Sequence, residues 1–268
     1  MAQFASITPN SLMRLIGTPQ APVIIDVCIE QDFNDDPYLI PTAQRCPHQS
    51  IQELAPELPG KHVVVVCQKG LKLSHGAAAL LRTLGIRAEA LEGGNLAWHA
   101  LKLPRIPASQ LPPTMTGTRW VTKWRTKIDR IACPWLIRRF IDPKAQILFV
   151  PPAEVANVAE KFQATAFDVP GAPWTHSGAL CTFDNMLAGF GLNIPALERM
   201  AVVVRGADTN DHALAPECAG LLALSVGLSR GFRDDLEQLD AGMVIYDALY
   251  QWARDGQNET HDWQEAPA

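Results

Sequence analysis

The sequence predicts an α/β protein in two parts: a parallel sheet flanked by helices, then a mainly helical α+β region. Three observations carry this prediction. Short apolar strands alternate with helix-forming runs over the first hundred residues, the pattern of a parallel sheet with crossover helices. A proline-rich stretch then interrupts the alternation. Beyond it, apolar residues recur mainly at helical spacing.

In the first part, Pro22-Val23-Ile24-Ile25-Asp26-Val27 reads as a short buried strand ending in an aspartate. Residues 51–58 read as a helix interrupted by Pro56. His62 opens a second strand through Val63-Val64-Val65-Val66, four β-branched residues in a row, as expected for a strand buried on both faces. A helix over 74–84, rich in Ala and Leu, follows. Ala88-Glu89-Ala90-Leu91 forms a third strand, and Gly93-Gly94 turns it into a helix over 95–101. Residues 104–117 contain Pro104, Pro107, Pro112 and Pro113. That is the composition of a semi-rigid linker, so the predicted division is 1–103, linker 104–117, and 118–268.

The second part carries a helical pattern over 129–140, a strand over 146–150, and helices over 154–162, 181–188, 194–205, 216–230 and 234–252. Pro134 is tolerated only in a first helical turn, so the first of these helices is expected to start near Cys133. Thr182 is a candidate cap for the helix over 181–188.

Bulk properties narrow the function. Of 268 residues, 47% are hydrophobic and 19% charged, which suits packed cores rather than disorder. The net charge of −5 argues against a nucleic-acid binder that relies on phosphate neutralisation. The N-terminal residues lack a secretory pattern and no run reaches membrane-spanning length, so a cytoplasmic protein without a membrane partner is expected. Cys28, Cys46, Cys67, Cys133, Cys181 and Cys218 contain no CxxC pair, so reduced thiols are expected.

The chemistry concentrates where the valine strand ends. Cys67 is followed by Gln68-Lys69-Gly70-Leu71-Lys72-Leu73 and a helix. A thiol near a helix N-terminus and beside lysines sits where a thiolate is stabilised, and the loop amides can bind a small anion. A buried, inert cysteine that serves only packing or partner contact is the competing reading.

In the second part, Asp129, Arg130, Cys133, His176, Cys181, Asp184, Arg205 and Asp208 form a candidate cluster. His, Cys and Asp can build a metal site, and guanidinium groups suit oxyanions. The same residues also fit a plain structural role, with Asp129 capping a helix and Cys133 packing. No cofactor is required by any motif, and a metal ion in this part stays an open alternative.

Four segments in order resemble a rhodanese (sulfurtransferase) domain over about residues 6–103: Ile25-Asp26-Val27, Leu39-Ile40-Pro41-Thr42-Ala43, Cys67-Gln68-Lys69-Gly70-Leu71-Lys72 and Leu91-Glu92-Gly93-Gly94-Asn95-Leu96-Ala97-Trp98. The resemblance implies that Cys67 accepts sulfane sulfur as a persulfide from a small donor such as thiosulfate. The amides of Gln68, Lys69, Gly70, Leu71, Lys72 and Leu73 would cradle the anion, with Lys72 in the place of the family's arginine. Four residues separate Cys67 from Lys72, the spacing of the sulfurtransferases rather than of the related phosphatases and arsenate reductases. Cys28 and Leu73 stand where that family has arginine and a hydroxyl residue.

The second part has its own resemblance. The run 127–142, Phe167-Asp168-Val169-Pro170-Gly171, His176 with Cys181-Thr182-Phe183-Asp184, Arg205-Gly206-Ala207-Asp208-Thr209 and the runs 221–230 and 242–250 look like the C-terminal domain of ChrB-type chromate-resistance regulatory proteins. The match spans about residues 118–255, with the rhodanese-like part in place of that family's usual N-terminal region. Chromate resistance is thereby implied. Two roles fit it: a sulfurtransferase acting through Cys67, or a non-catalytic sensor of an oxyanion such as chromate, or of a metal.

Overall fold

The computed structural model describes residues 5–114 and 116–259. The first part contains β1 (Ser6–Ile7), α1 (Pro9–Leu15), β2 (Val23–Asp26), α2 (Glu30–Asp35), β3 (Tyr38–Leu39), β4 (Gln44–Arg45), β5 (His62–Val66), α3 (Lys72–Thr83), β6 (Arg87–Leu91) and α4 (Gly94–Ala100). Strands β1, β6, β5, β2 and β4 lie side by side in that order, and every pairing is parallel. The expected α/β sheet is therefore present, with the four valines at its centre.

Alternation along a strand explains why those valines are all apolar. Val63 and Val65 point into one core, with Ile25, Ala78 and Leu81. Val64 and Val66 point into the other, with Ile24, Leu91 and Trp98. All four are fully buried. Because successive side chains alternate between the two faces, a strand covered on both leaves no position for a polar residue.

The second core does not stop at the first part. It runs on through Trp120, Trp135, Phe140, Tyr246 and Tyr250, so the second half covers one face of the sheet. Contacts at the seam are close: the Thr42 amide donates to the Phe140 carbonyl at 2.9 Å. At Gly17, where φ is +81°, a Cβ would lie only 2.9 Å from the Tyr250 ring.

The proline-rich stretch also packs. β7 (Ile106–Pro107) pairs antiparallel with β3, and the Trp98 indole donates to the Pro104 carbonyl at 2.8 Å.

The second half comprises β8 (Arg119–Lys123), α5 (Asp129–Leu136), β9 (Gln146–Val150), α6 (Val155–Phe162), β10 (Thr165–Ala166), α7 (Thr182–Phe190), α8 (Pro195–Asp208), α9 (Glu217–Gly231) and α10 (Asp235–Asp255). β10, β8 and β9 form a small parallel sheet and the remainder is largely helical, as expected.

Three local expectations need correction. The helix containing Pro134 begins at Asp129 rather than near Cys133, and continues as a wider turn over Ile137–Ile141. Pro134 sits inside α5 and costs it one hydrogen bond. Seven of its eight residues are buried, and tertiary packing of this kind outweighs local propensity. Residues 48–57 form tight 3₁₀ turns rather than an α-helix, between Pro47 and Pro59 with Pro56 inside. At the start of α7, Cys181 rather than Thr182 occupies the cap position, and its amide donates to the Asp184 carboxylate at 3.1 Å.

Candidate functional sites

Cys67 follows β5 directly and lies at the carboxyl edge of the first sheet. Its thiol is buried and donates to the Ser74 hydroxyl at 3.2 Å. It forms the floor of a depression walled by Ile29, Asp32, Gln68, Lys69, Leu71 and Lys72. Lys69 and Lys72 are exposed at its rim.

The loop is shaped by glycines. Gly70 has φ +64°, and its amide and Cα press against the turn between β6 and α4. On that side, Asn95 and Leu96 donate their amides to the carbonyls of Cys67 and Gln68, at 3.1 and 3.0 Å. The carbonyls of Cys67 and Gln68 are thereby engaged, and Gln68, Lys69 and Leu71 line the depression. Among the described residues, no backbone carbonyl accepts from Gln68, Lys69, Gly70 or Leu71. The helix α3 begins at Lys72, two residues earlier than expected, and has no side-chain cap among the described residues. An uncapped helix start beside open loop amides attracts a small anion.

The second strand end supports this loop. The Asp26 carboxylate accepts from the Cys28 amide at 2.7 Å and from the Asn95 amide group at 2.9 Å. The Cys28 thiol is pushed well up by burial and by Asp26, so it stays protonated beside Cys67. Arg45 approaches the Cys28 carbonyl at 3.3 Å and stacks on Phe33 at 3.8 Å. It thus brings a guanidinium near the position where Cys28 stands in place of an arginine.

In the second half, the structure gathers four of the sequence motifs. Asp129 stands first in α5, Asp208 last in α8, His176 on the turn before α7, and Asp168 on the loop after β10. His176 Nε2 lies 3.5 Å from Asp129, 3.5 Å from Asp168 and 3.2 Å from Asp208. The entry to α5 is pinned by α10: Asp235 accepts the amides of Arg125 and Thr126, and the Tyr246 hydroxyl donates to the Ile128 carbonyl at 3.0 Å. The His176 segment is anchored by Trp174, stacked on Phe190 at 4.7 Å.

Asp129 does not cap its own helix. Its Oδ2 accepts the Thr182 amide at 2.6 Å, at the start of α7. Burial first, then the Asp208 and Asp168 carboxylates, raise its pKa well above the usual carboxylate range. Burial and Asp168 raise Asp208 as well, while His176 opposes the shift.

The remaining predicted residues are placed around this group. Arg130 pairs with Asp168 at 3.5 Å. Arg205 pairs with Asp184 at 2.7 Å, so its guanidinium is already engaged. Cys133 and Cys181 are buried, and burial with nearby carboxylates pushes both thiols up. Asp168 was not among the predicted site residues; its signal was an aspartate in a proline-glycine turn, and its φ of +51° shows that the turn is constrained. A separate hollow is lined by Arg125, Lys127, Arg130, Ser229 and Arg230, a cationic surface that composition alone did not reveal.

Comparison with known proteins follows the same division. The family model described as ChrB, C-terminal domain, matches residues 120–253. The chain belongs to the ChrB C-terminal domain family. The model for the rhodanese-like domain matches residues 8–101, so this family member carries a rhodanese-like domain ahead of its ChrB domain. Protein ChrB of Cupriavidus metallidurans is 34% identical over 140 residues, which cover 52% of this chain and 42% of that protein. The chain therefore spans less than half of the length of that relative.

Among solved structures, a rhodanese-related protein from Thermoplasma volcanium is 23% identical, with a TM-score of 0.34, over 38% of this chain and 98% of that one. A thiosulfate sulfurtransferase from Pseudomonas aeruginosa is 25% identical with a TM-score of 0.34, over 38% and 19%. A rhodanese-like domain protein from Staphylococcus aureus is 26% identical with a TM-score of 0.32, over 35% and 91%. No helix among the described residues is long and apolar enough to cross a membrane.

Proposed function

We propose that this ChrB-family protein is a sulfur carrier acting in chromate resistance in the cytoplasm, with Cys67 as its persulfide site. The reading divides the chain into a rhodanese-like part over 1–103, a linker over 104–117 and a ChrB part over 118–268. The Cys67 thiolate would attack the sulfane sulfur of a donor such as thiosulfate. A sulfur–sulfur bond forms, the donor's bond breaks, and sulfite leaves with the electron pair. A nucleophilic acceptor then takes the sulfur and restores the thiolate.

The observation that carries this reading is the Cys67 loop: a thiol at the floor of a depression lined by Gln68, Lys69 and Leu71, whose amides have no backbone carbonyl partner among the described residues. Such amides stabilise the persulfide anion and the incoming oxyanion. Lys72, exposed at the rim, supplies a cation for the donor.

The test is direct. Thiosulfate and cyanide should yield thiocyanate, and intact mass should show one added sulfur after thiosulfate alone. Cys67→Ser should abolish both signals. A wild-type protein that never gains sulfur would leave the reading without support.

A second reading, an oxyanion sensor, is favoured by the hollow of Arg125, Lys127, Arg130 and Arg230. Guanidinium groups hold tetrahedral oxyanions by paired hydrogen bonds. Chromate titration of wild type and Arg230→Ala tests it: equal affinity in the two would remove this assignment.

A further inference from the structure

We propose that Asp129, His176 and Asp208 form a binding site for a divalent first-row metal ion, with Asp168 at its rim. The inference stands apart from the sulfur chemistry and uses none of its residues.

The first observation is an orphaned oxygen. Asp129 is 1% exposed, and its Oδ2 accepts the Thr182 amide at 2.6 Å. Its other oxygen, Oδ1, is buried and has no hydrogen-bond partner among the described residues. A buried carboxylate oxygen left unsatisfied is costly, and a cation is the natural group to satisfy it.

The second observation is the spacing. One donor atom from each of Asp129, His176 and Asp208 lies within 4.8 Å of the others. The same ring nitrogen, Nε2, meets Oδ2 of Asp129 (the oxygen that also accepts from Thr182), Oδ1 of Asp168 and Oδ2 of Asp208 at 3.2 to 3.5 Å. A single N–H cannot serve three acceptors, and these separations are long for a hydrogen bond. They match the edges of a coordination shell. With metal–ligand bonds of about 2.0–2.2 Å, neighbouring ligands stand about 2.8–3.1 Å apart in an octahedral shell and about 3.3–3.6 Å apart in a tetrahedral one.

The surroundings complete the site. Asp168 is held by the Thr182 hydroxyl at 3.0 Å and by Arg130 at 3.5 Å, as outer partners orient a ligating group. The His176 side chain is 42% exposed and that of Asp208 19%. The site is therefore deep at Asp129 and open at His176, which gives an ion a way in and leaves positions for water or an oxyanion. Carboxylates with one imidazole suit Mn²⁺, Fe²⁺ or Zn²⁺, whereas soft ions such as Cu⁺ call for thiolate or thioether ligands.

The experiment uses the full chain, stripped with chelator and titrated with Mn²⁺. Loss of the free Mn²⁺ spin-resonance signal should report one ion per chain. His176→Ala and Asp208→Asn, both at partly exposed side chains, should weaken binding at least about tenfold while keeping the far-UV spectrum of the wild type. Mn²⁺ should also raise the unfolding temperature of wild type more than that of either variant. Cys67→Ser should bind Mn²⁺ as wild type does, which separates this site from sulfur transfer. The proposal is overturned if wild type takes up none of Mn²⁺, Fe²⁺ or Zn²⁺, or if both variants bind as tightly as wild type.

Discussion

Gly70→Ala tests the architecture of the cysteine loop most sharply. Gly70 has φ +64°, and a Cβ there would lie 2.5 Å from the Gly94 nitrogen, 2.5 Å from the Leu91 oxygen and 2.6 Å from the Gly93 nitrogen. All three are backbone atoms, so none can swing aside. Ordinary contact begins at 3.4 Å, so the loop and the β6–α4 turn must separate by close to an ångström. The left-handed backbone adds about 1–2 kcal/mol for an L-residue, and overpacking adds about 1–3 kcal/mol. A total loss of about 2–5 kcal/mol follows. A displacement of this size at a reacting centre lowers rate by about 10²-fold. Urea denaturation measures the first effect and the rate of sulfur uptake from thiosulfate the second. Gly76→Ala is the control: Gly76 lies in α3 with nothing within 4 Å of its Cβ position, and it should stabilise by about 0.5–1 kcal/mol. A Gly70→Ala protein within about 1 kcal/mol of wild type, and with the wild-type uptake rate, would refute the packing argument.

Four further outcomes are expected. Phe140→Ala, at the seam beside Gly17 and Tyr250, should cost about 3–5 kcal/mol and shift the unfolding of both halves together, as read by circular dichroism and tryptophan fluorescence; separate transitions would contradict a shared core. Asp247 accepts from Arg139 at 2.8 and 2.7 Å and from the Trp135 indole at 2.8 Å, so Asp247→Ala should cost about 2–3 kcal/mol. Asp240→Ala, which removes an exposed partner of Arg138, should change denaturation midpoints little. Lys144 hydrogen-bonds Glu57 and holds its carboxyl below the usual range. A lowered carboxylate contributes above its unfolded value and loses that contribution as pH falls through its folded one. Glu57→Gln should therefore flatten the acid limb of the stability curve slightly; identical acid limbs would show the pair to be inert.

Much of the first site was legible because it is local. Four valines, a cysteine, a glycine loop and a helix-forming run lie within a dozen residues, and each dictates its own geometry. The start of α3 at Lys72 was less legible, since Leu71 is not a capping residue. The second site is assembled from four separate segments, and nothing in the neighbourhood of Asp168 says that it will meet His176. Pro134 misled for a related reason: its local cost is real, but the burial of Ile131, Trp135 and Leu136 decides the helix. The cationic hollow was hidden because Arg125, Lys127 and Arg230 lie on different elements of a chain that is acidic overall.

The two-sided burial of β5 has a consequence for how the chain can be divided. On one face, Val64 and Val66 share one buried cluster with Trp98 and with the aromatic residues of the second half. A cut within 104–117 would bare that face in one fragment and its complement in the other. Separately produced halves should therefore be sticky and poorly behaved, and should regain solubility when mixed. The thiol and the acidic cluster then belong to one body, so any traffic between them needs a diffusible carrier rather than a swinging arm.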